Sequence, residues 1–312
     1  MHITIFSCFL AVLCLCTAAQ HANADTQNTI NVILDTDIGD DIDDAYALAA
    51  LATAPECHLL GVTTVFGETD SRAKIAAKLL QVAGKPNVPV HAGRPSKHDI
   101  GRQYQWAKSF TSSAIKPEPA VDFLKQQIDK HPGQITIIAI GALTNIGDLV
   151  TAHPEVVGKI KRIVIMGGSV YTGYGTSTVP QVEWNIRCDP PAARAVFNCG
   201  AVITVAGLEA TAMMQFDAEH QKRLFGIGTP TTDALAALTS LWGGGTPTQF
   251  DVMAVANALG HNFCQTEQMH IDVTDDGMTH KGEGKINASL LIKPDKEPFL
   301  DWYITALTPI AK

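Results

Sequence analysis

The chain has 312 residues, of which 46% are hydrophobic and 17% are charged, and this composition excludes intrinsic disorder, collagen and coiled coil and predicts a packed globule. Its 23 Lys and Arg residues are outnumbered by 31 Asp and Glu residues, which gives a formal net charge of -8. Because this charge would repel nucleic-acid phosphates, we expect no nucleic-acid partner.

The first 24 residues predict a secretory signal peptide, residues 1–24. They contain no Asp, Glu, Lys or Arg, and an apolar run over residues 3–19 is followed by the cleavage pattern Ala22-Asn23-Ala24. The run is short for a transmembrane helix, and no later stretch is long enough to span a membrane. We therefore expect an exported protein, periplasmic or secreted, with residues 25–312 as its mature chain.

Five apolar segments rich in β-branched residues predict buried strands at residues 30–34, 59–66, 135–140, 160–166 and 202–205. Helical patterns lie between or after them at residues 45–54, 71–83, 120–130, 191–197 and 252–259. Strands that are apolar at nearly every position are typical of a parallel sheet covered by helices on both faces. The alternation predicts an α/β fold with a wound, mainly parallel central sheet flanked by helices.

Three segments outside these elements predict loops or turns. Residues 171–178 and 226–248 are rich in Gly, Ser and Thr, and we expect mobile loops there, beside a site. Residues 270–293 contain Asp275-Asp276-Gly277 and predict a terminal hairpin.

The mature chain keeps four cysteines, whose spacing matches no zinc-binding pattern. They are Cys57, Cys188, Cys199 and Cys264. Disulfides are compatible with export, but a core of this size does not need them, so buried free thiols are an equal alternative.

Six carboxylates stand within ten residues directly after the first predicted strand, in the sequence Asp35-Thr36-Asp37-Ile38-Gly39-Asp40-Asp41-Ile42-Asp43-Asp44. In wound α/β sheets, ligands bind in the crevice beyond the carboxyl ends of the strands. Carboxylates this close repel one another unless a cation neutralises them, and an all-oxygen set favours Ca²⁺ or Mg²⁺ over zinc. Because one or two carboxylates suffice to cap a helix, six of them predict a metal site.

Two other acidic motifs fit this turn less well. An EF-hand has glycine at its sixth loop position, whereas Gly39 is the fifth residue from Asp35 and follows a strand. A haloacid-dehalogenase-type phosphatase also begins with a pattern like Asp35-x-Asp37 and uses an aspartate as its nucleophile. That family needs a second acidic pair at a later strand end, and none follows the predicted strands.

Further motifs follow the acidic turn in a fixed order. After Asp35-Thr36-Asp37-x-Gly39 and Asp43-Asp44-Ala45 come Thr63-Thr64-Val65-Phe66-Gly67, Gly141-Ala142-Leu143-Thr144-Asn145-Ile146, Met166-Gly167-Gly168, Glu183-Trp184-Asn185, Asp189-Pro190 and Asp251. Together these blocks resemble the inosine-uridine nucleoside hydrolases over nearly the whole mature chain. The resemblance implies a Rossmann-like nucleoside hydrolase fold in a single catalytic domain, residues 25–312. It also implies hydrolysis of the N-glycosidic bond of ribonucleosides to ribose and free base.

The resemblance implies a metal site. One Ca²⁺ ion per chain would be held by Asp37, Asp44, the carbonyl oxygen of Thr144 and Asp251. Three carboxylates and a carbonyl, completed by water and substrate hydroxyls, are an ordinary oxygen shell for Ca²⁺. Asp37 would also take the proton from the water that attacks C1′.

The resemblance also implies the sugar contacts. Asp43 and Asn185 would bind the 2′ and 3′ hydroxyls, and Glu183 would reach the 5′ oxygen, so that Asp37, Asn185 and Glu183 form the catalytic set. Breaking the glycosidic bond builds positive charge on the ribose ring, which a pocket lined by carboxylates stabilises.

Several positions depart from the family pattern. Two residues are added before the Asp43-Asp44 pair, so Asp40 and Asp41 have no counterpart and their role stays open. Glu68 replaces an Asn and is expected to contact the sugar or solvent. Phe250 replaces the His to which protonation of the departing base is attributed, and a phenyl ring cannot donate a proton.

The sequence motifs identify fewer of the residues that would bind the base than of those that would bind the sugar. We expect Met166 in the substrate pocket and Tyr174 near the position of a sugar-binding Asn. The base is expected to stack on one or more aromatic residues, for which the candidates are Trp242, Phe250, Trp184 and Tyr171. Base preference stays open. Two alternatives also stay open, a Ca²⁺-dependent nucleoside-binding protein without turnover and a hydrolase of another N-riboside. Because family members are commonly oligomers, a homodimer or homotetramer is expected.

Overall fold

The computed structural model of the protein describes residues 29–309. Its strands are β1 (Ile30–Thr36), β2 (Cys57–Thr64), β3 (Val90–Ala92), β4 (Ile115–Lys116), β5 (Ile135–Ala139), β6 (Arg162–Met166), β7 (Ile203–Ala206), β8 (Gln265–Met269), β9 (Ile271–Val273), β10 (Thr279–Lys281) and β11 (Ala288–Ile292). Its α-helices are α1 (Asp43–Thr53), α2 (Thr69–Val82), α3 (Tyr104–Ala107), α4 (Ala120–Lys130), α5 (Thr144–Ala152), α6 (Trp184–Cys188), α7 (Pro190–Phe197), α8 (Leu208–Thr211), α9 (Ala218–Phe225), α10 (Pro230–Trp242), α11 (Phe250–Ala258) and α12 (Lys296–Ala306). The predicted signal peptide lies outside the described residues.

A nine-stranded sheet organises the fold, in the order β4-β3-β2-β1-β5-β6-β7-β11-β8. Every neighbouring pair is parallel except β11 and β8. The chain adds β2, β3 and β4 on one side of β1 and then starts β5 on the other side, so the strand order reverses between β1 and β5. The predicted wound, mainly parallel α/β sheet is confirmed, and the reversal marks the crevice where such sheets bind ligands.

Two apolar layers cover the two faces of the sheet. Val32 and Leu34 of β1 pack in one layer with Tyr46 of α1, whereas Ile33 packs in the other layer with Phe123 of α4. Successive side chains of a strand point to opposite faces, and in β1 both faces are fully buried. The continuous apolar runs in the sequence therefore result from burial on both sides.

The loop predicted over residues 226–248 is wrong, because the helix α10 occupies most of it. Thr229 and Thr232 form a capping box, and Pro230 takes the first helical position, where its missing N–H costs nothing. Gly243, at φ +69°, ends the helix in the left-handed conformation. Two of the residues that indicated a loop, Thr229 and Gly243, are in fact the N-cap and the C-cap of α10.

The predicted terminal hairpin is confirmed only in part. β9 and β10 pair antiparallel around the turn that contains Gly277. β11, inside the same predicted segment, instead joins the main sheet between β7 and β8. The short strands β3 and β4 and the helix α12 were not predicted.

The thiols of Cys57, Cys188, Cys199 and Cys264 are free, which favours free thiols over disulfides, but only Cys57 is buried, so the alternative of buried free thiols is confirmed in part. Burial raises the pKa of the Cys57 thiol to about 12, which keeps it protonated and unreactive. Within residues 29–309, no helix has both the length and the apolar character of a membrane-spanning segment.

Candidate active site

The acidic turn lies at the carboxyl end of β1, where the strand order reverses. Gly39 holds φ +126°, which an L side chain rarely adopts. The hydroxyl oxygen of Thr36 accepts a hydrogen bond from the Ile38 N–H (3.1 Å), and the same hydroxyl donates to the carboxylate of Asp44. Thr36 thus connects the last residue of β1 to the first turn of α1.

Three carboxylates meet in this crevice although they are far apart in sequence. Asp43 and Asp44 begin α1, Asp251 lies in the first turn of α11, and one oxygen of each lies within 4.8 Å of the others. Each residue is only 3% exposed. The Asp251 N–H donates to Asp43 Oδ2 at 3.2 Å and joins the two helix N-termini. Because helix N-termini favour negative charge, both dipoles stabilise the cluster.

A pocket of about 190 Å³ opens onto these carboxylates. Its lining residues are Asp37, Asp40, Asp41, Asp43, Asp44, Ile140, Met166, Tyr174, Glu183, Trp184, Asn185, Phe250 and Asp251. Asp37 lies in this pocket but outside the three-carboxylate set, whereas Asp43, which we expected to bind only the sugar, belongs to the set. Among residues 29–309, no Lys, Arg or His lines the pocket, so the negative charge of the three-carboxylate set has no cationic side chain beside it in the lining.

The protonation of these acids reflects this imbalance. Burial, followed by repulsion from neighbouring carboxylates, raises the pKa values of Asp43, Asp44 and Asp251 well above the usual range. Burial also raises the pKa of Asp37 to about 7, although the positive charge of Arg72 opposes the shift. A buried, proton-retaining cluster of carboxylate oxygens has the chemistry of a site for a hard divalent cation.

Arg72 of α2 is fully buried behind the turn, and it is a site residue that sequence reasoning missed. Its guanidinium donates to the backbone carbonyls of Asp37, Ile38 (3.1 Å) and Phe66 (2.6 Å). Its Nη2 atom also lies 2.6 Å from Asp40 Oδ2. The signal in the sequence was the run of six aspartates in the turn. Such a run requires a positive charge nearby, but it does not show which Lys or Arg supplies it.

Asp40 anchors the acidic turn. The structure thus gives a role to one of the two aspartates that have no counterpart in the family pattern. Its carboxylate accepts from Arg72, from His98 Nε2 (3.0 Å) and from the Gly101 N–H (2.7 Å). Asp41 differs, because its Oδ1 atom accepts the N–H of the adjacent Ile42 (2.6 Å) and its side chain lines the pocket.

Asp35, the first acid of the turn, has a structural role. Its Oδ1 atom accepts from Thr63 Oγ1 (2.6 Å) and from Asn145 Nδ2 (2.7 Å). These bonds connect β1 to β2 and α5, so three of the sequence motifs meet at one buried carboxyl. Burial raises the pKa of Asp35 to about 7.

Glu183 and Asn185 are held firmly in the pocket wall. The Glu183 carboxylate caps α6 by accepting from the N–H groups of Asn185 (3.0 Å) and Ile186 (3.1 Å), and it also accepts from the Gly168 N–H (3.0 Å). Asn185 Nδ2 donates to the carbonyls of Ile140 (3.0 Å) and Met166 (3.1 Å). Both side chains therefore have fixed orientations towards a ligand.

Thr144 begins α5 and is not one of the pocket-lining residues. Its hydroxyl donates to Asp189 Oδ2 at 2.7 Å, and Asp189 also caps α7 through the Ala192 N–H (3.1 Å). The role of the Thr144 carbonyl oxygen as a metal ligand stays a prediction.

Aromatic residues form another part of the pocket lining. Phe250 packs edge-to-face against Tyr174, with ring centroids 6.0 Å apart, and Trp184 also lines the pocket. The structure does not place the other proposed contacts, Tyr171, Trp242 and Glu68, among the pocket-lining residues. Trp242 packs at the end of α10 against the core, and Glu68 accepts from Ser71 Oγ at 2.9 Å beside the start of α2.

Comparison with known proteins gives a consistent result. The profile of the inosine-uridine preferring nucleoside hydrolases matches residues 32–301. Uridine nucleosidase 1 of Arabidopsis thaliana is 36% identical over 198 residues, 59% of this chain and 58% of that protein. The pyrimidine-specific ribonucleoside hydrolase RihA of Citrobacter koseri is 29% identical over 302 residues, 86% of this chain and 95% of that protein.

Solved structures share the fold. A plant nucleoside hydrolase, the PpNRh1 enzyme, superimposes with a TM-score of 0.78 at 24% identity, covering 89% of this chain and 99% of that one. The purine-preferring ribonucleoside hydrolase from Gardnerella vaginalis gives a TM-score of 0.78 at 23% identity, covering 89% and 98%.

Proposed function

Because the chain belongs to the inosine-uridine preferring nucleoside hydrolase family and is a nucleoside hydrolase, we propose that it cleaves pyrimidine ribonucleosides with the help of one bound Ca²⁺ ion. Hydrolysis of the N-glycosidic bond of ribonucleosides follows from the family. We propose in addition the identity of the ion, the preference for pyrimidine bases and export from the cytoplasm.

The observation that carries the proposal of a metal ion is the meeting of Asp43, Asp44 and Asp251, with oxygens within 4.8 Å of one another. These residues fit a hard cation because their donors are all oxygens and because burial leaves their charge unbalanced. We propose Asp44 and Asp251 as ligands, with Asp37 and the Thr144 carbonyl completing the set. Asp43 lies close enough to contribute as well. Ca²⁺ is preferred to Mg²⁺ because its larger, more flexible shell tolerates crowded carboxylates.

The side chains of the pocket would share the work of catalysis. When bound, the cation supplies Lewis-acid polarisation of the attacking water. Asp37 lines the pocket beside the three-carboxylate set and would accept a proton from the attacking water. Asp43, Asn185 and Glu183 would hold the ribose hydroxyls. The remaining carboxylate charge would stabilise the positive ribose ring of the transition state.

The preference for pyrimidines rests on relatives. The Arabidopsis protein is a uridine nucleosidase, and the Citrobacter protein is a pyrimidine-specific ribonucleoside hydrolase. Uridine and cytidine are therefore the first substrates to test, with inosine and adenosine as the purine comparison.

Export is part of the proposal and is supported by the apolar run at residues 3–19 and the pattern Ala22-Asn23-Ala24. Residues 1–24 would be removed, and the enzyme would act on nucleosides outside the cytoplasm. N-terminal sequencing of the exported protein should begin at Asp25. A protein that keeps Met1 and remains with the cytoplasmic fraction would contradict this part of the proposal.

The proposed function is tested by measuring ribose released from uridine, cytidine, inosine and adenosine, before and after chelation with EGTA. We expect release from uridine, loss after chelation and recovery with Ca²⁺. Binding of uridine without release of ribose would instead support a nucleoside-binding protein. Turnover that survives complete removal of metal would contradict the proposed cation.

A further inference from the structure

The departing base needs a proton that Phe250 cannot supply. When the C1′–N bond breaks, its electron pair stays on the base nitrogen, and protonation of that nitrogen, or of another atom of the base, makes it a better leaving group. Phe250 lies in the pocket at the start of α11. Its phenyl ring has no acidic proton, so a neighbour of Phe250 must act if the chain assists departure at all.

Tyr174 is that neighbour. Its ring packs edge-to-face against Phe250, with centroids 6.0 Å apart and planes at 79°, and both residues line the pocket. It stands in the long connection between β6 and α6, and its contact with Phe250 brings this connection against the start of α11.

The hydroxyl of Tyr174 keeps its proton available. Its oxygen accepts a hydrogen bond from the backbone N–H of Trp184 at 2.9 Å. Because a backbone N–H can only donate, this bond uses a lone pair of the tyrosine oxygen and leaves the O–H proton free for another acceptor. Among the hydrogen bonds of residues 29–309, none has the Tyr174 hydroxyl as donor.

The loop that carries Tyr174 is anchored at several points. The Tyr174 N–H donates to Gln181 Oε1 at 2.9 Å. One carboxylate oxygen of Glu209 accepts the N–H groups of Val170 (2.6 Å), Tyr171 (2.6 Å) and Thr172 (3.3 Å). A donor held in place before the reaction does not have to be reorganised during it.

We propose that Tyr174 donates its hydroxyl proton to the departing base, in place of the residue that Phe250 replaces. This inference rests on the proposed function. The water oxygen bonds to C1′ and one of its protons passes to the Asp37 carboxylate. The C1′–N bond breaks, its electron pair remains on the base, and the base takes the Tyr174 proton. Solvent then carries the proton from Asp37 to the tyrosinate, so one water is consumed and ribose and neutral base are released.

The surroundings of the Tyr174 hydroxyl favour its protonated form. Burial, followed by the negative charge of Glu183, raises the pKa of Tyr174 above its usual value. The hydroxyl is therefore protonated at neutral pH. The Trp184 N–H opposes the shift and stabilises the tyrosinate that forms.

The test compares leaving groups that differ in their need for a proton. Uridine and inosine lose a base that must be protonated, whereas p-nitrophenyl β-D-ribofuranoside releases a phenolate that is stable without protonation. For Tyr174→Phe, we expect kcat to fall about a hundredfold or more with the nucleosides and by less than about threefold with the p-nitrophenyl riboside. Retained activity with the p-nitrophenyl riboside also shows that the variant is folded.

Tyr171→Phe is the matched control. Tyr171 lies in the same loop, but its hydroxyl donates to Glu267 at 3.0 Å and it is not a pocket-lining residue. This variant should keep full activity with all three substrates.

Two results would overturn the inference. Equal losses on nucleosides and p-nitrophenyl riboside would mean that Tyr174 only shapes the sugar pocket. Full nucleoside activity in Tyr174→Phe would exclude the role altogether. If the wild-type protein released ribose from none of these compounds, the proposed function itself would fail, which is a different outcome.

Discussion

The buried guanidinium of Arg72 pairs with the half-buried carboxylate of Asp40 at an Nη2–Oδ2 distance of 2.6 Å, directly behind the turn that carries the acidic cluster. This pair separates two roles within one run of aspartates. Asp40 is neutralised by a fixed cation of the protein, whereas Asp43, Asp44 and Asp251 have no such partner in the pocket lining. The run therefore divides into an anchor and a set of carboxylates available for an exchangeable cation.

Replacing Arg72 with Met should destabilise the fold strongly. The change leaves Asp40 and the carbonyls of Asp37, Ile38 and Phe66 without their donor. Removal of one partner from a fully buried pair costs about 3 to 5 kcal/mol of unfolding free energy, and because Asp40 is half-buried we expect a loss of about 3 kcal/mol, measured by urea denaturation followed by circular dichroism. Arg102→Met, at an exposed side chain, should change it by less than about 0.5 kcal/mol. Equal stability of the two variants would show that Arg72 is not an anchor.

Asp40→Asn and Asp44→Asn should change the stability of the metal-free protein in opposite directions near pH 8. The first leaves the buried Arg72 charge without its counterion and should lower the unfolding free energy. The second removes one of several mutually repelling buried carboxylates, so it should raise the unfolding free energy and weaken Ca²⁺ binding. The measurement is urea denaturation in EGTA, and a change of the same sign in both variants would contradict the division of roles.

The stabilisation by Ca²⁺ should increase with pH. Burial raises the folded-state pKa of Asp37 to about 7 and those of Asp43, Asp44 and Asp251 well above the usual range. A raised carboxyl pKa means tighter proton binding in the folded state. The contribution of such a carboxyl to the unfolding free energy is therefore complete below its unfolded-state pKa of about 4. This contribution is lost as the pH rises through its folded-state pKa.

The metal-free protein thus loses this contribution as the pH rises from about 4 through the folded-state pKa of Asp37, about 7, and through the raised pKa values of the other three carboxyls. The same deprotonation frees these carboxylates to bind Ca²⁺. We expect the rise in Tm on adding Ca²⁺ to be larger at about pH 8 than at about pH 5.5, measured by differential scanning calorimetry. An equal rise at both values would mean that the cation binds elsewhere.

Glu209 should control the order of the loop that carries Tyr174. One of its carboxylate oxygens accepts three consecutive backbone N–H groups, so Glu209→Ala leaves all three without an acceptor. We expect faster limited proteolysis within residues 170–182 and a fall in kcat on uridine of about tenfold or more, because the pocket side chains lose their fixed positions. Glu209→Gln keeps an acceptor oxygen and should retain most of the activity. Unchanged proteolysis in the Ala variant would contradict this role.

The sequence predicted the regular parts of this fold well because their signals are local. The apolar runs of β1, β2, β5, β6 and β7 report burial on both faces, and this property alone defines a covered parallel sheet. The helix α10 was missed because Thr229 and Gly243 are at once loop-like residues and helix caps. The three-residue strand β3 was missed because so short a segment has no measurable periodicity.

The candidate site was predictable only in part. The acidic turn indicated a cation by its charge, but only the family resemblance related Asp251 to Asp44, since more than two hundred residues separate them in the sequence. Arg72 and the Tyr174–Trp184 hydrogen bond could not be predicted, because each depends on how a helix or a loop packs against a turn distant in sequence.

The most direct test of the account is calorimetric titration of the metal-stripped protein with Ca²⁺. Wild-type protein should bind one ion per chain, Asp251→Asn should show no binding at the same concentrations, and the exposed Asp122→Asn should bind like wild type. Undiminished Ca²⁺ binding by Asp251→Asn would contradict the claim that the carboxylates of α1 and α11 together hold the ion.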